Sequence, residues 1–366
     1  MPSFRSASRS LPTNERLLVA QTGFLGDVVL TTPLIAELRR RLAPASLTVL
    51  TTPQARPLLE QHPAVDRVIT DAKRTAGRGM GGLLRTARQL RRERFTLVAA
   101  PHKSLRTALL LALAGIPQRV GFRQSSGWFL YHRTAVRDVH RHEVERILCL
   151  MRAFGVEPEQ CERQPRVEYS AAARARAEEL LREAGVERTE AMFVVCPGSV
   201  WPTKRWTIEG YAGLVRCLAR DYGKVLICGG PDDAPVAQAV HEQSGGQGVN
   251  LVGRADLQTF MALIDHAKVV VSNDSAPMHI AVARGVPVVA IFCATTPSLG
   301  YGPYSERAVV VEQKDLFCRP CSRHGGHACP RKTEDCMRLI TIPDVLAGVN
   351  QLLTSQPVAQ LPSQWQ

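Results

Sequence analysis

The sequence lacks the long apolar runs and the aromatic content that several protein classes require. Its longest apolar candidate, ALLLALAGI at 108–116, is far short of the roughly 18 residues that span a bilayer and is followed by a proline. Aromatic residues make up 5% of the 366 residues, and no known nucleic-acid-binding motif occurs, so only charge favours a nucleic-acid binder. Neither a repeat of fixed period nor a heptad pattern is present, which argues against solenoids and coiled coils.

A secretory signal is also missing, because the basic, serine-rich start has no apolar core of its own. We expect residues 1–15 to form a disordered leader and residues 353–366 a tail. The ten cysteines are scattered and several lie in apparent strands, which fits buried thiols in a reducing cytoplasm.

The chain has fewer acidic residues than basic ones. The formal net charge is +13, and arginine dominates the stretches at 83–95 and 118–142. Such a surface attracts polyanions, whether nucleic acid, an anionic membrane or a phosphorylated substrate. For any single arginine, a solvated helix face is the simpler interpretation.

The sequence contains two series of alternating strand and helix patterns, one in each half of the chain. Short buried strands with few charges alternate with helical stretches in each half, and a polar segment with two prolines at 156–170 separates the halves. Alternation with short connections predicts parallel βαβ units. We therefore predict an α/β protein with two Rossmann-like, doubly wound domains at 16–168 and 169–352, facing each other across a cleft.

A glycine-punctuated turn, QTGFLGD at 21–27, connects the first strand to the first helix. Gly23 and Gly26 allow a sharp turn and the close approach of a ligand. Asp27 falls in the first helical turn, where the helix dipole favours the ionised carboxylate. This carboxylate is a candidate general base for a hydroxyl nucleophile, or simply a helix cap; both roles are compatible.

A second polar turn, CPGSVWPTKRW at 196–206, follows an apolar strand. Ser199 and Thr203 offer hydroxyl groups and Lys204 offers a cation, which together suit a diphosphate. The spacing of a Walker A loop is missing. A surface loop with solvated charges is the alternative interpretation.

The turn SNDSAPMHIA at 272–281 gives a sharper signal for an anion site at a helix start. Asn273 or Asp274 is the expected cap, Pro277 is tolerated in the first turn, and Ser275 and His279 share a helix face. Because its charge would repel phosphate, Asp274 suits a sugar hydroxyl or a cap. Histidine on a helix is more often structural than functional.

Two weaker glycine patterns and one cysteine cluster remain. The stretch GGPDD at 229–233 suits a base or ribose but fits a simple turn better, and GRGMGG at 77–82 is interpreted as a flexible loop. In the cluster Cys318, Cys321, Cys329 and Cys336, the first pair has zinc-ligand spacing and the second does not, so we favour reduced thiols over a structural zinc site.

Three motifs, taken in order, resemble those of the bacterial lipopolysaccharide heptosyltransferases of glycosyltransferase family nine. They are QTGFLGDVVLTTPL, PGSVWPTKRW and SNDSAPMHIAVARGVPVVAIF. The resemblance runs from about Arg16 to the last helix. The segment FCRPCSRHGGHACPRKTEDCM resembles the one found in the heptosyltransferase II branch. The resemblance implies a GT-B fold and inverting transfer of a heptose from ADP-L-glycero-D-manno-heptose to the lipopolysaccharide inner core, without a catalytic metal or cofactor.

The resemblance also implies roles for individual residues. Asp27 matches the proposed base, and the donor ADP is held by Lys204 and the helix start from Asp274 to His279, which includes Ser275, Ala276 and Pro277. For the acceptor, an anionic lipopolysaccharide core at the cytoplasmic face of the inner membrane, the candidates are Gly26, Lys103, Arg106 and Arg123.

Two departures from the family pattern and three rival functions accompany this interpretation. Ala276 replaces the usual glycine, which adds only a methyl group, and SLGYGPYS at 298–305 replaces a shorter Gly-Pro turn, which bears on the donor sugar. The rivals are a family-nine transferase with another nucleotide sugar or acceptor, a nucleotide-binding regulator without turnover, and a nucleic-acid binder.

Overall fold

The computed structural model describes residues 15–75, 77–187 and 190–354, and the chain divides into two compact units between Val167 and Glu168. The predicted leader and tail lie outside the described residues, except for Glu15 and for Leu353 and Thr354, which end the last helix. Among the described helices, none combines the length and the apolar character needed to cross a membrane.

The N-terminal unit is a parallel six-stranded sheet with helices on both faces. Its elements are β1 (Arg16–Ala20), α1 (Leu25–Leu42), β2 (Ser46–Thr51), β3 (Arg67–Thr70), α2 (Gly79–Arg92), β4 (Leu97–Ala100), α3 (Leu105–Leu113), β5 (Gln118–Phe122), β6 (Arg133–Ala135) and α4 (Glu143–Leu148). The strand order is β3-β2-β1-β4-β5-β6, and every pairing is parallel.

The C-terminal unit repeats this plan. Its elements are α5 (Ala171–Glu183), β7 (Met192–Cys196), α6 (Ile208–Asp221), β8 (Lys224–Ile227), α7 (Ala234–Gln243), β9 (Val249–Asn250), α8 (Leu257–Ile264), β10 (Val269–Asn273), α9 (Ala276–Ala283), β11 (Val288–Phe292), β12 (Ala308–Glu312), α10 (Asp335–Arg338) and α11 (Ile342–Thr354). The order β12-β11-β10-β7-β8-β9 makes β7 and β10 the central pair, as β1 and β4 are in the first unit.

The central strands are buried on both faces, which explains why they are almost continuously apolar. β4, β7, β10 and β11 are buried along their whole length. In the N-terminal unit, α2 and α3 cover one face of the sheet through a cluster that includes Leu83, Leu90 and Leu111. The prediction of two doubly wound α/β units is therefore confirmed.

Helix starts were the most predictable local feature. The side chains of Ser170, Thr207 and Asp256 accept the amide hydrogens of Ala173, Gly210 and Thr259, respectively, as expected for N-caps. Each cap satisfies one of the amide groups that has no partner inside its helix.

The interpretation of GRGMGG as a flexible loop was wrong, because α2 begins at Gly79 and includes the last four of these residues. A Cβ atom at position 82 would collide with the backbone of Gly77, so a glycine is needed for the chain to fold back at the helix start. Strands β5, β6 and β12 were not predicted, because charged residues interrupt or flank their apolar pattern.

Glu37 on α1 is a buried carboxylate that ties the end of the unit to its first helix. It accepts hydrogen bonds from Arg40, Arg41 and the amide of Glu162, and only 1% of its side chain is exposed. Burial alone would raise its pKa, but these hydrogen bonds outweigh burial and leave the pKa of Glu37 lowered.

We predict that Glu37→Gln lowers the free energy of unfolding by about 2 kcal/mol at neutral pH, because the three charge-assisted hydrogen bonds that Arg40 and Arg41 donate to this buried carboxylate are weakened. Urea unfolding measures this loss. The control is Glu60→Gln, whose ion pair with Arg56 is exposed and should contribute less than about 1 kcal/mol. Equal losses in the two variants would contradict the assignment of Glu37 as an anchor.

Candidate functional site

The polar turns singled out in the sequence lie where the strand order of each sheet reverses. In the N-terminal unit this point lies between β1 and β4, and in the C-terminal unit between β7 and β10. The connections at this point leave in opposite directions and open a crevice at the carboxyl ends of the strands, which is where open α/β sheets bind ligands. QTGFLGD follows β1, CPGSVWPTKRW follows β7, and DSAPMHIA follows β10.

In the C-terminal unit, the side-chain amide of Asn273 joins two of these turns. Its oxygen accepts the amide hydrogen of Trp206 at 2.9 Å, and its nitrogen donates to the carbonyl oxygens of Pro197 and Gly198 at 2.9 and 3.2 Å. Asn273 is fully buried. The turn after β7 is thereby held against the end of β10.

Lys204 and Asp274 form the central ion pair of this crevice. Lys204 Nζ lies 2.6 Å from Asp274 Oδ2, which also accepts the hydroxyl hydrogen of Thr295 at 2.7 Å, and both charged side chains are largely buried. The expected repulsion between Asp274 and an anion is therefore compensated by a cation in contact with it.

The expected cap of α9 was wrong. Neither Asn273 nor Asp274 caps this helix; Ser275 occupies the cap position, with an extended backbone, and its side chain accepts none of the helix amide hydrogens. Its hydroxyl instead lies 3.2 Å from the hydroxyl of Ser272 and 3.3 Å from the carbonyl oxygen of Asn273. The start of α9 thus keeps backbone N–H groups, such as that of Ala276, for a ligand, whereas Pro277 has none.

The other two predicted donor residues have structural partners. Thr203 exchanges hydrogen bonds with Gly326 through both its hydroxyl and its backbone. The Ser199 hydroxyl accepts the amide hydrogen of Trp201 at 3.4 Å, and its carbonyl oxygen accepts two bonds from the guanidinium group of Arg205. These contacts fix the loop that carries Lys204.

His279 lies one turn into α9 and is 5% exposed. Burial lowers its pKa to about 4, with Asp274 acting to raise the value and Lys204 to lower it, so the imidazole is neutral at pH 7. Its Nδ1 is buried and has no hydrogen-bond partner within the part of the chain that the structure describes. A buried polar atom without a partner is costly, and it suits a site that a ligand completes.

The cysteine segment packs against these turns. The guanidinium group of Arg319 donates to the carbonyl oxygens of Phe292 and Thr295 at the end of β11 and to Glu312. The ring of His327 packs edge-on against Trp201 with centroids 5.2 Å apart. The segment is therefore part of the wall that supports the Lys204 loop.

All four cysteines of this cluster are free thiols. Burial raises the pKa of Cys321, and the neighbouring Cys318 and Cys329 raise it further. Across residues 15–75, 77–187 and 190–354, no group of three or more His, Cys, Asp or Glu side chains is placed to hold a metal ion. The zinc alternative stays a prediction.

In the N-terminal unit, Asp27 occupies the third position of α1, and its Oδ2 accepts the amide hydrogen of Phe24 at 3.0 Å. A Cβ atom at Gly23 would lie 2.6 Å from that oxygen, so glycine is required for this close approach. The carboxylate is half-buried at the N-terminal end of α1, which is the positive end of the helix dipole.

The predicted acceptor residues differ in their burial and in their structural roles. Gly26 precedes Asp27 in the first turn of α1. Arg106 is bound to the buried Asp71 and to the carbonyl oxygen of Gly77, so its first role is structural. Lys103 lies half-buried just before α3, whereas Arg123 is exposed after β5.

A polar cluster that the sequence analysis missed lies beside Asp27. His102 follows β4, and its Nδ1 lies 2.9 Å from the hydroxyl of Thr107 and 3.2 Å from that of Thr22. Lys73, after β3, donates to the Thr22 hydroxyl at 3.1 Å. Burial lowers the pKa of His102 to about 4, and Lys73 and Lys103 lower it further. These residues follow the ends of strands, and this position was the only sign in the sequence that they could belong to a site.

Asp233 was recognised only as part of a weak turn pattern. Its Oδ2 accepts the amide hydrogen of Gly230 at 2.9 Å, and its carboxylate occupies the space that a Cβ of Gly198 would need. Burial raises its pKa, against the lowering effect of that hydrogen bond. A carboxylate at the end of β8 is placed to accept hydrogen bonds from a hydroxylated ligand.

The chain is similar to known heptosyltransferases both in its family pattern and over most of its sequence. The family model for glycosyltransferase family 9 (heptosyltransferase) matches residues 83–328. Lipopolysaccharide heptosyltransferase 3 of Escherichia coli is 27% identical over 342 residues, which cover 91% of this chain and 97% of that protein.

Two solved structures show the same fold over nearly the whole chain. The glycosyl transferase family 9 from Veillonella parvula superposes with a TM-score of 0.83 at 24% identity, covering 94% of this chain and 99% of that one. The E. coli ADP-heptose lps heptosyltransferase II gives 0.75 at 25% identity, with coverages of 92% and 98%. The expectation of a GT-B fold with two Rossmann-like units is confirmed.

We predict that the pH dependence of stability carries the signature of neutral His279. The unfolded histidine binds a proton near pH 6.5 and the folded one near pH 4, so stability falls as pH drops through that window. At pH 4.5 the loss from this group is about 2.5 kcal/mol relative to pH 7.

Urea unfolding between pH 7 and 4.5 measures this loss, and His279→Gln should remove it from the pH profile. His266→Gln, at an exposed position, is the control and should keep the wild-type profile. A His279→Gln profile that parallels the wild type would show that folding does not lower the pKa of His279.

Proposed function

Because the chain belongs to glycosyltransferase family 9, the heptosyltransferase family, we propose that it transfers a heptose with inversion from ADP-L-glycero-D-manno-heptose to the inner core of lipopolysaccharide. Relatives named as lipopolysaccharide heptosyltransferases 2 and 3 support the acceptor class. A solved relative named as an ADP-heptose enzyme supports the donor.

The observation that carries this proposal is the anion site at the start of α9. One ammonium group, the backbone N–H groups of the first helical turn, and a neutral imidazole whose Nδ1 has no partner among the described residues converge there. Such a set stabilises the negative charge that grows on a departing diphosphate. It supplies this charge neutralisation from protein groups, so the proposed reaction uses neither a catalytic metal nor a cofactor.

In the proposed reaction, Asp27 takes the proton from an acceptor hydroxyl group. The hydroxyl oxygen forms a bond to the anomeric carbon from the face opposite the diphosphate, and the bond from that carbon to the phosphate oxygen breaks. The electron pair leaves with ADP, which Lys204, the α9 amide groups and His279 stabilise. The products are the heptosylated acceptor, with inverted configuration, and ADP.

The N-terminal unit would receive the anionic acceptor. Lys103, Arg123 and the amide of Gly26 stay our predicted contacts, and Lys73 joins them because its ammonium group acts electrostatically on Asp27. We place the enzyme in the cytoplasm, in peripheral contact with the inner membrane, where a lipid-anchored acceptor is presented.

Calorimetric titration with ADP, UDP and GDP tests the donor class directly. Preference for ADP, followed by transfer from ADP-heptose to a soluble core oligosaccharide, supports the proposal. Preference for UDP or GDP would mean a family-nine transferase with another donor. Nucleotide binding without transfer to any acceptor would favour a regulator.

We predict that Asp27→Asn lowers kcat by about 10²- to 10⁴-fold, the range that a general base contributes, while the affinity for ADP is unchanged. A steady-state transfer assay and ADP titration measure the two effects. Asp221→Asn, which removes an exposed carboxylate at the end of α6, is the control. Turnover of Asp27→Asn at the wild-type rate would refute the base assignment.

We also predict that Gly23→Ala reduces kcat without weakening ADP binding. The added Cβ would lie 2.6 Å from Asp27 Oδ2, so the carboxylate must rotate away from the Phe24 amide. In Gly81→Ala, the matched control on α2, the new Cβ meets nothing within 4 Å, and activity should be retained. Full activity of Gly23→Ala would show that the position of Asp27 is not critical.

A further inference from the structure

We propose that one edge of the N-terminal unit docks onto an anionic lipid bilayer through an aromatic and basic rim, which we define by Met80, Leu84, Leu105, Trp128 and Phe129. This inference rests on the proposed function only for the lipid anchor of the acceptor. The rim itself follows from exposed side chains, their location and the charge around them.

The rim residues are exposed large apolar side chains at one edge of the sheet. Trp128 and Phe129 are 51% and 63% exposed, and Met80 is 66% exposed. They follow the ends of β3, β4 and β5, and the carboxyl ends of parallel strands share one edge. This is also the edge that carries Asp27.

Hydrogen bonds hold the three parts of the rim together. Arg106, in the first turn of α3, donates to the carbonyl oxygen of Gly77 just before α2, at 3.1 Å. The amide of Ser126 donates to the carbonyl oxygen of Lys103, just before α3, at 3.2 Å. A Cβ at Gly127 would contact the Leu105 side chain at 3.3 Å. The three segments that carry the apolar side chains are therefore joined to one another at this edge of the sheet.

The charge around the rim is almost purely positive. Residues 72–137 contain 14 Lys and Arg and a single acidic residue, Glu93. The exposed side of α2 carries Arg85 and Arg88 next to Leu84, in a helix whose other side is buried. The whole excess of positive charge lies in this unit, since residues 1–167 hold 27 basic and 13 acidic residues and residues 168–366 hold 19 and 20.

This combination fits a bilayer surface better than a nucleic acid. Apolar and aromatic side chains enter the boundary between head groups and acyl chains, while arginines contact the anionic lipids. Trp128 and Phe129 lie edge-to-face, at 84° between ring planes, so they do not form a parallel platform for stacked bases. Docking at this edge would bring a lipid-anchored acceptor to the side of the unit where Asp27 lies.

Vesicle flotation of the full-length protein tests the proposal, with vesicles of phosphatidylcholine alone or mixed with phosphatidylglycerol. We expect binding that requires the anionic lipid. Trp128→Ala combined with Phe129→Ala should lower the partition coefficient by at least about tenfold. Arg85→Glu combined with Arg88→Glu should lower it by about 30-fold or more, because each basic side chain near an anionic surface contributes roughly a factor of five.

The matched controls lie in the C-terminal unit. Phe317→Ala with Leu339→Ala removes two exposed apolar side chains there, and Arg182→Glu with Lys268→Glu reverses two exposed charges. Both should bind vesicles like the wild type. A wild type that does not float, or a Trp128 and Phe129 variant that floats like the wild type, would overturn the proposal. Equal binding to single-stranded DNA that ignores the aromatic residues would assign the surface to nucleic acid instead.

Transfer to a soluble, lipid-free acceptor separates this proposal from the proposed function. The Trp128 and Phe129 variant should act on that acceptor like the wild type, since the rim serves docking only. If the wild type itself fails to act on it, the proposed function fails while the flotation result still decides the role of the rim.

Discussion

The arrangement of the candidate donor site depends on the buried amide of Asn273. Its three hydrogen bonds join the end of β10 to the turn after β7, and the order of strands places these two elements side by side at the reversal point. Lys204 reaches Asp274 because its loop is fixed in this way. A buried amide with every hydrogen bond satisfied specifies one arrangement, whereas an apolar side chain of similar size would leave three backbone groups without partners.

The ion pair that results is suited to transient binding of an anion. Asp274 compensates the charge of Lys204 before a ligand arrives, so no isolated cation is buried. Within the described part of the chain the ammonium group contacts only this carboxylate, so two of its three N–H bonds are left for other acceptors. His279 adds a neutral polar atom and no charge. The diphosphate of the proposed donor would therefore be released without the strong retention that several unpaired cations would produce.

The sequence predicted the central strands, three of the helix caps and the polar turns that follow strands, because each depends on a local pattern. Ser170, Thr207 and Asp256 are examples of such caps, because each is a short polar side chain directly before a helix with an apolar face. The sequence did not predict the true role of Asn273 or the cluster around His102. The partners of Asn273 are 67 to 76 residues away along the chain, and Thr22 is 80 residues from His102, so only the strand order brings them together.

Glycine has the same function in both units, and this links local sequence to the chemistry of each site. Gly23 leaves room for the carboxylate of Asp27, and Gly198 leaves room for that of Asp233, which lies in the turn after the neighbouring strand β8. In each case the carboxylate lies where a Cβ atom would otherwise stand and accepts a backbone amide hydrogen, from Phe24 or from Gly230. The spacing of glycines in a strand-to-helix turn thus determines more than backbone flexibility. It determines how closely a negative charge can approach the edge of the sheet, and so where a hydroxyl group of a bound ligand can find an acceptor.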